Sequence, residues 1–482
     1  MKICLFAVNG SWSHTNLAIR CLREPLEKAG FDVELLECTL RDPCSFMLEK
    51  LWNSNADIYG FSCYIWNIGI MLDVARDLKS IRPDSTIIFG GPEVSFDTER
   101  FSSLPYISCV VCGEGEDILP EICEKIRDGK YFERTVSSNS GAFRFTDTGI
   151  LYRDEEQTGT ILYYESSRGC PYNCSYCLSS ATKGVRFKSV GKTISDLEKF
   201  ETLRTDCKII KFVDRTFNAD PGRANEIWKR LLSDRFTKHY HFEICASLLN
   251  EESFSVLSEF PKGKIQLEVG LQSTCPETLY SVARHIEPSE VISAVKRIHK
   301  VGNIHVHLDL IAGLPYESYE RFTKSFNDCY GCCDKLQLGF LKLLHGTALR
   351  QDLEKYGYIC EKKAPYTVLQ NNWISYPEFQ RLHRIADALE RYDESGNFAH
   401  SLWYLLPFAE SPFSFWESLA DYLDNHDSRP LRKISQPDAY RYLLEFGKSS
   451  VTGCDETVLR DFICTDFKAS EHKNPPYFLR HV

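Results

Sequence analysis

The chain contains the stretch Arg168-Gly-Cys-Pro-Tyr-Asn-Cys-Ser-Tyr-Cys177, in which Cys170, Cys174 and Cys177 have the spacing C-x3-C-x2-C. Thiolates are soft ligands, and they suit iron–sulfur clusters and zinc. A structural zinc ion normally has four protein ligands, whereas a 4Fe-4S cluster held by three cysteines leaves one iron open to another molecule. The spacing therefore predicts a cluster with an open iron, and a zinc knuckle or a chance group of cysteines is the alternative.

The composition is that of a globular protein with more than one core. The 482 residues are 43% hydrophobic and 26% charged, and a domain usually has about 100–200 residues. Two or three domains are therefore expected. The net charge of -10 argues against nucleic acid as a partner, because proteins that bind a phosphate backbone usually carry a basic surface.

The twenty cysteines bear on the compartment. The first residues lack the apolar core and cleavage site of a signal peptide, and no apolar run reaches the roughly 18 residues of a membrane span. We therefore expect a cytoplasmic protein, without a membrane partner, whose thiols are reduced.

Residues 1–130 alternate short apolar strands with amphipathic helices, which predicts a doubly wound, Rossmann-like α/β domain. The predicted strands are Lys2–Val8, Phe31–Leu36, Ala56–Cys63, Thr86–Phe89 and Cys109–Cys112. One predicted helix covers residues 67–80, with Asn67 as its cap. Ligands of such sheets bind beyond the carboxyl ends of the strands. The candidate binding loops are Asn9–Asn16, Ser62–Trp66, Gly90–Ser95 and Gly113–Glu116.

A second α/β segment covers residues 161–345, after a linker with a hairpin at 131–160. Its pattern of strand, loop and helix predicts a partial (β/α)6 TIM-like barrel, with function at the carboxyl ends of the strands. The predicted strands are Ile161–Glu165, Lys208–Val213, His241–Cys245, Lys264–Val269, His305–Ile311 and Leu336–Leu341. Residues 346–482 lose the alternation and predict a mostly helical C-terminal domain, to which the sequence assigns no role.

The cysteine motif, with Tyr176 before its last cysteine, resembles the signature of the radical S-adenosylmethionine (SAM) superfamily. The resemblance implies that the open iron binds the amino and carboxylate groups of SAM. It further implies that an electron from the cluster cleaves SAM to methionine and a 5′-deoxyadenosyl radical, and that a flavodoxin or ferredoxin donates this electron.

Further motifs of the barrel segment resemble the branch shared by coproporphyrinogen dehydrogenase and the cobalamin-dependent members. They are Glu268-x-Gly270-x-Gln272-Ser273, then Arg284, then Asp309-Leu-Ile-x-Gly-Leu-Pro315. By this resemblance the residues that contact SAM are Tyr176, Glu243, Gln272, Arg284 and Asp309. Their types fit the ligand, since an arginine can pair with a carboxylate through two hydrogen bonds. A salt bridge inside the barrel is the alternative for each acidic residue taken singly.

The N-terminal segment resembles the cobalamin-binding domains that precede many radical SAM barrels. The resemblance rests on domain order, length and two glycine turns, which let a backbone approach a flat macrocycle closely. The candidate cobalamin-binding residues are Ser62, Tyr64, Gly90, Gly91, Pro92, Glu93, Gly113, Glu114 and Gly115. His14 is not assigned as a cobalt ligand, because Trp12 and Leu17 replace the aspartate and glycine of the pattern Asp-x-His-x-x-Gly. A domain kept only as a scaffold is the alternative.

Together these resemblances imply a cobalamin-dependent radical SAM enzyme that methylates an unactivated carbon of a small-molecule substrate. The catalytic side chain is not assigned. A radical SAM cyclase, rearrangement or oxidation enzyme is the first alternative. A tRNA-modifying methylthiotransferase and a non-catalytic cobalamin sensor are the others. Cys329, Cys332 and Cys333 are interpreted as packing thiols in preference to ligands of an auxiliary cluster.

Overall fold

The structure is a computed structural model. It describes residues 1–138, 151–153, 159–181, 184–203, 207–427, 429–471 and 478. Part of the predicted linker, with its hairpin, therefore lies outside the described residues. The chain divides into two compact units. The first unit consists of Met1–Leu267, Lys342–Gln351 and Glu361–Thr367, and the second of Glu268–Leu341, Asp352–Cys360 and Val368–Val482.

The first unit contains a parallel six-stranded sheet with the strand order β2-β1-β3-β4-β5-β6. The strands are β1 (Lys2–Asn9), β2 (Asp32–Thr39), β3 (Ile58–Ser62), β4 (Thr86–Gly90), β5 (Cys109–Cys112) and β6 (Thr135–Ser137). Strands β2 and β3 both pair with β1 and lie on its opposite sides, as in a doubly wound sheet. The five predicted strands are confirmed, and residues 135–137 of the predicted linker add the sixth.

Apolar side chains of this sheet are buried on both faces, which explains why its strands are continuous apolar runs. Cys4, Phe6 and Val8 of β1 pack on one face, and Ile3 and Leu5 pack on the other. The helices of this part are α1 (Leu17–Lys28), α2 (Cys44–Ser54), α3 (Ile68–Ile81), α4 (Pro92–Ser95), α5 (Thr98–Ser102) and α6 (Ile118–Arg127).

Asn67 lies at the predicted cap position of α3, but the predicted capping hydrogen bond is not formed. Instead, Oδ1 accepts from the amide of Tyr64, and Nδ2 donates to the carbonyls of Val8 and Ser62. Asn67 therefore joins the ends of β1 and β3 rather than capping the helix.

The rest of the first unit carries the cysteine motif. Its strands are β7 (Ile161–Tyr164), β8 (Ser167–Cys170), β9 (Gly184–Phe187), β10 (Ile209–Phe212), β11 (His239–Ile244) and the start of β12 (Ile265–Gln272). In one sheet the order is β7-β10-β11-β12, and β8 and β9 form a separate antiparallel hairpin. The helices are α7 (Val190–Thr202), α8 (Pro221–Leu231), α9 (Glu251–Ser258) and, in the segment Lys342–Gln351, α13 (Ala348–Gln351).

The second unit begins with the remainder of β12. Its sheet order is β12-β13-β14, with β13 (His305–Ala312) parallel to β14 (Lys335–Phe340), and β15 (Ile359–Cys360) pairs with β16 (Val368–Gln370). The helices are α10 (Pro276–Ser281), α11 (Pro288–Val301), α12 (Tyr319–Cys329), α14 (Tyr376–Ala388), α15 (Ala399–Leu405), α16 (Pro412–His426), α17 (Gln436–Ser450) and α18 (Glu456–Glu471). The predicted α/β class with a helical C-terminal region is confirmed. Across the described ranges, no helix combines the length and apolar character needed to span a membrane.

A π-helix, Leu389–Glu394, extends α14 and carries a carboxyl group with a raised pKa. Burial raises the pKa of Asp393 to about 6, and the charge of Glu394 adds to this effect. Tyr330 Oη donates a hydrogen bond to its carboxyl group at 3.3 Å. The folded state therefore binds the proton of Asp393 more tightly than the unfolded chain does.

This shift predicts a pH dependence of stability. The contribution of Asp393 is fully present below its unfolded pKa of about 4 and is lost as the pH rises through about 6, a change of up to about 3 kcal/mol. Urea unfolding of wild type and Asp393→Asn at pH 5 and pH 7 checks this, because the asparagine side chain does not titrate. We expect the variant to gain stability relative to wild type at the higher pH. Asp424→Asn, at an exposed position of the same unit, is the control; equal pH dependence in all three proteins would contradict the prediction.

Candidate functional site

The three motif cysteines lie in the hairpin formed by β8 and β9. Cys170 ends β8, Cys174 is buried, and Cys177 is half-buried with its amide donating to the carbonyl of Cys174 at 3.0 Å. Gly169 has a φ of +103°, and a Cβ there would lie 2.1 Å from the carbonyl oxygen of Gly184. Glycine is therefore required at this position for the two strands to approach each other.

Loops that follow neighbouring strands surround these cysteines. Cys170 Sγ lies 3.5 Å from Thr216 Oγ1 in the loop after β10. Tyr172 Oη donates to Cys245 Sγ at 3.1 Å, just after β11. On the third side, the amide of Leu349 donates to the carbonyl of Ser175 at 2.9 Å. The carboxyl ends of β10 and β11 thus face the cysteine loop, as the barrel prediction requires.

The donor set fits a multi-iron cluster. Within the described chain, no group of three or more His, Cys, Asp or Glu side chains is arranged to hold a single metal ion. In a 4Fe-4S cluster each thiolate takes a different iron, so the three sulfurs need not converge on one point.

Cys329, Cys332 and Cys333 are in a different environment: burial raises the pKa of all three thiols, and Cys332 and Cys333 donate to backbone carbonyls. These contacts and the raised pKa values support the prediction that the three cysteines are packing thiols.

Asp214, at the end of β10, supports the entry to the cysteine loop. Its fully buried carboxyl group accepts hydrogen bonds from the amide and hydroxyl of Ser166 and from the hydroxyl of Ser167, at 2.7–3.1 Å. Burial raises the pKa of Asp214 to about 6, against the lowering effect of these bonds and of Arg223. These hydrogen bonds give Asp214 a role in positioning the strand that leads to Cys170.

The residues expected to contact SAM belong to both units. In the first, Tyr176 is half-buried in the cysteine loop, and Glu243 ends β11 with an oxygen 3.8 Å from Arg215 Nη1. In the second, Asp309 lies on the half-buried face of β13.

The structure brings Gln272 and Arg284 together over Gly270. A Cβ at Gly270 would lie 2.2 Å from Gln272 Nε2 and 3.6 Å from Arg284 Nη2, and that Nη2 donates to the Gly270 carbonyl. Gln272 has a φ of +79°. Its Oε1 is buried and, within the described part of the chain, accepts no hydrogen bond. A strained backbone with an orphaned polar atom is typical of a ligand-binding position.

The neighbouring Ser273 has a partner that the sequence did not indicate. Glu317 is completely buried, and its Oε1 accepts from Ser273 Oγ at 2.7 Å and from Ser325 Oγ at 2.6 Å. Burial raises the pKa of Glu317 above its ordinary value. Tyr316, just before it, has a φ of +64°. Nothing in the sequence marks Glu317 as buried, so only the fold could identify it.

Arg284→Lys is expected to weaken SAM binding about tenfold, or about 1.4 kcal/mol. Lysine keeps the charge but loses the planar fork that pairs with a carboxylate through two bonds. Equilibrium dialysis of anaerobic protein with labelled SAM measures the change. Arg384→Lys, at a half-buried position of α14, is the control and should bind as wild type does; identical affinities for both variants would remove Arg284 from the site.

The candidate cobalamin residues share one edge of the first sheet. Ser62, Gly90 and Cys112 end β3, β4 and β5, which are neighbours in that sheet. Gly91 has a φ of +117°, and a Cβ there would lie 2.4 Å from the Cys63 carbonyl oxygen. This close approach of the two turns therefore needs glycine, and it leaves a flat edge of backbone.

Aromatic rings add a second flat surface at this edge. Tyr64 stacks on Trp66 with ring centroids 4.3 Å apart and ring planes at 10°. Trp66 is 49% exposed, and its Nε1 donates to the Val8 carbonyl. Burial raises the pKa of Tyr64, so its hydroxyl is neutral at physiological pH. Glycine turns and a planar stack fit a flat macrocycle.

Both glutamates among the candidate cobalamin-binding residues have partners within the first unit. Glu93 is buried beside Pro92 and accepts from Tyr366 Oη at 2.5 Å, and burial raises its pKa. Glu114, between Gly113 and Gly115, pairs with Arg186. His14 Nδ1 lies 2.7 Å from Tyr163 Oη, which agrees with leaving His14 out of the cobalt ligands.

Three family models match successive parts of the chain. The model described as B12 binding domain matches residues 7–123, the model of the radical SAM superfamily matches 164–329, and a model described as protein of unknown function (DUF4080) matches 354–482. The first two matches cover the sheet edge with the glycine turns and the cysteine hairpin.

Two curated proteins are similar to a large part of this chain. An uncharacterized methyltransferase of Pyrococcus horikoshii is 27% identical over 60% of this chain and 68% of its own. The hopanoid C-3 methylase of Methylococcus capsulatus is 25% identical over 64% of this chain and 62% of its own. The chain thus spans about two thirds of the length of these relatives.

Among solved structures, the cobalamin-dependent SAM radical enzyme OxsB, with aqua-cobalamin and SAM bound, superimposes with a TM-score of 0.62. The match covers 97% of this chain and 79% of OxsB at 14% identity, which supports the fold alone. From the two domain matches on one chain and the sheet topology that agrees with them, the protein belongs to the radical SAM enzymes that carry a B12-binding domain.

Proposed function

We propose that this enzyme methylates an unactivated carbon of a small molecule, with a 4Fe-4S cluster, SAM and cobalamin as cofactors. One observation carries the proposal: the cysteine hairpin and the glycine-turn edge of the first sheet belong to one compact unit and are joined by ion pairs. When bound, the cluster with SAM supplies a carbon-centred radical and cobalamin supplies a methyl group.

Residues of this chain hold and orient those groups. Cys170, Cys174 and Cys177 would hold the cluster, and Asp214 positions the strand that leads to them. Tyr176, Glu243, Gln272, Arg284 and Asp309 would bind SAM. The orphaned Gln272 Oε1 supports this, since a SAM amino or hydroxyl group would satisfy it.

Cobalamin would bind at the sheet edge that contains Ser62, Tyr64, Gly90–Glu93 and Gly113–Gly115. Its glycine turns and the ring pair Tyr64–Trp66 match a flat macrocycle, and His14 is engaged with Tyr163. Glu93 and Glu114 would act by holding the turns in place, because both have protein partners. We propose residues 1–130, 161–345 and 346–482 as the functional domains, with 131–160 as the linker.

The methyl transfer is inferred from the relatives, two of which are named a methyltransferase and a methylase. The C-terminal region would determine the substrate, and a flavodoxin or ferredoxin would donate the electron.

The test has two stages. Anaerobic protein from cells supplied with cobalamin should contain about four irons and one corrinoid per chain.

Such protein, given SAM and a small-molecule extract of its source cells, should then convert a metabolite to a product heavier by one CH2 unit. Protein with four irons but no corrinoid after reconstitution would reduce the N-terminal domain to a scaffold. Cleavage of SAM with a product of unchanged carbon count would exclude methylation and favour a cyclase or oxidation reaction.

A further inference from the structure

The cysteine hairpin carries two arginines that face each other. Strands β8 and β9 pair antiparallel with Arg168 opposite Arg186, and Cys170 is two residues beyond Arg168. Like charges directly opposite in an antiparallel pair are destabilising. Carboxylates placed beside the two arginines would therefore stabilise the hairpin that leads into the cluster ligands.

Three glutamates supply them. Glu165 accepts from Arg168 Nε and Nη2, both at 2.7 Å, as a bidentate pair. Glu116 accepts from the same Nη2 at 2.7 Å. Glu114 lies 3.6 Å from Arg168 Nη1 and accepts from Arg186 Nη1 at 3.0 Å, so it bridges the two arginines.

Two of these glutamates come from the B12-binding domain, in the turn that follows β5. The turn is held by two serines of the first unit: the amide of Gly113 donates to Ser95 Oγ at 3.2 Å, and the amide of Glu114 donates to Ser138 Oγ at 2.9 Å. Gly113 has a φ of +81°. The backbone that carries the two carboxylates is therefore held by contacts that do not involve the hairpin.

The pairs are well shielded from water. The side chains of Arg168 and Glu116 are only 20% and 11% exposed. Charge-assisted bidentate pairs in such surroundings are stronger and more directional than exposed ion pairs. Burial alone would raise the pKa of Glu114, but Arg186 and Arg168 outweigh it and lower that pKa. Glu114 is therefore ionised near neutral pH.

We propose that Arg168 is a positioning residue, which, with Glu114 and Glu116, fixes the cluster hairpin against the cobalamin edge of the B12-binding domain. The turn Gly113–Glu116 then has two roles: it borders the cobalamin edge, and its two glutamates hold the hairpin that carries the cluster cysteines. This inference rests on the cofactors of the proposed function but not on methyl transfer. Loss of this contact would displace Cys170 and change the electrostatic field at the cluster.

The test compares four variants of the full-length, cluster-loaded protein. Arg168→Lys keeps the charge and loses the fork; Arg168→Gln removes a positive charge; Glu116→Gln removes a negative charge; the double variant removes both. Arg153→Gln is the matched control, because Arg153 pairs with Glu27 through two contacts, at 2.7 and 2.9 Å, elsewhere in the same unit.

Four quantities are measured for each protein: the iron content, the electron paramagnetic resonance spectrum of the reduced cluster, its midpoint potential and the rate of 5′-deoxyadenosine formation. We expect Arg168→Lys to retain its iron but to cleave SAM about tenfold more slowly, with a changed spectrum in the presence of SAM. Arg168→Gln should lower the potential and Glu116→Gln should raise it. The double variant should return toward the wild-type potential because the two charge losses cancel, and a deviation of its shift from the sum of the two single shifts would measure the coupling between the groups.

Wild-type spectra, potentials and rates in Arg168→Lys and Arg168→Gln would overturn the proposal, as would equal effects in Arg153→Gln. If Arg168→Gln loses its iron, the lysine variant and Glu116→Gln decide the matter, because both keep most of the network. Corrinoid content is recorded separately. Absence of corrinoid in wild type contradicts the proposed function, while the shifts in the cluster spectrum and potential still test the network.

Discussion

Replacing Cys174 by alanine is expected to abolish formation of 5′-deoxyadenosine, with the rate falling by more than about a thousandfold. Cys174 is the most deeply buried of the three motif cysteines, and its carbonyl accepts from the amide of Cys177. With two thiolates left, the motif can no longer hold a cluster that has only one open iron. Iron and sulfide content, with chromatography of the nucleoside product, measure the loss.

The chain offers a matched control for this variant. Cys329, Cys332 and Cys333 are also grouped in sequence, but we interpret them as packing thiols, since burial raises the pKa of all three. The triple alanine variant should keep about four irons and the wild-type rate, with some loss of stability from the cavities. Iron loss in the triple variant, with iron retained in Cys174→Ala, would reverse the assignment and indicate an auxiliary cluster.

Those parts of the fold that depend on local pattern could be predicted from the sequence. The apolar runs of β1, β3, β4 and β5 are long enough to be recognised, because both faces of the sheet are buried. The cysteine motif is equally local. By contrast, β6 has only three residues with a weak pattern, and it joins the sheet through pairing with β5.

The contacts that tertiary structure creates could not be predicted. The turn Gly90–Glu93 is visible as a glycine motif, but the partner of Glu93 is Tyr366, which lies 273 positions away. Glu116 and Arg168 are 52 positions apart. Asn67 shows the same limit at short range. Its residue type suits a helix cap, but its side chain forms hydrogen bonds with backbone groups at the ends of β1 and β3 instead. The roles of the SAM and cobalamin residues stay predictions for this reason, since their ligands are not part of the chain.

Asp214→Ala should cause the second large effect, on stability and on cluster loading together. The substitution leaves the amide and hydroxyl of Ser166 and the hydroxyl of Ser167 without their acceptor, in a position with no exposure to water. It also leaves the charge of Arg223, whose Nη2 donates to the Ser166 carbonyl, without its nearby carboxylate. Breaking a buried network of this kind costs about 3–5 kcal/mol.

The thermal unfolding midpoint should therefore fall by about 5–10 °C, and iron content after reconstitution should fall with it, because Ser167 begins the strand that ends at Cys170. Asp220→Ala is the control from the same loop. Its exposed carboxylate caps α8 through the amide of Arg223, so its loss should cost only about 1 kcal/mol and leave the iron unchanged. Iron content decides between two roles for Asp214. A destabilised variant that still loads four irons would make it a packing residue of β10, whereas loss of iron at temperatures well below unfolding would show that its hydrogen bonds to Ser166 and Ser167 set the position of Cys170.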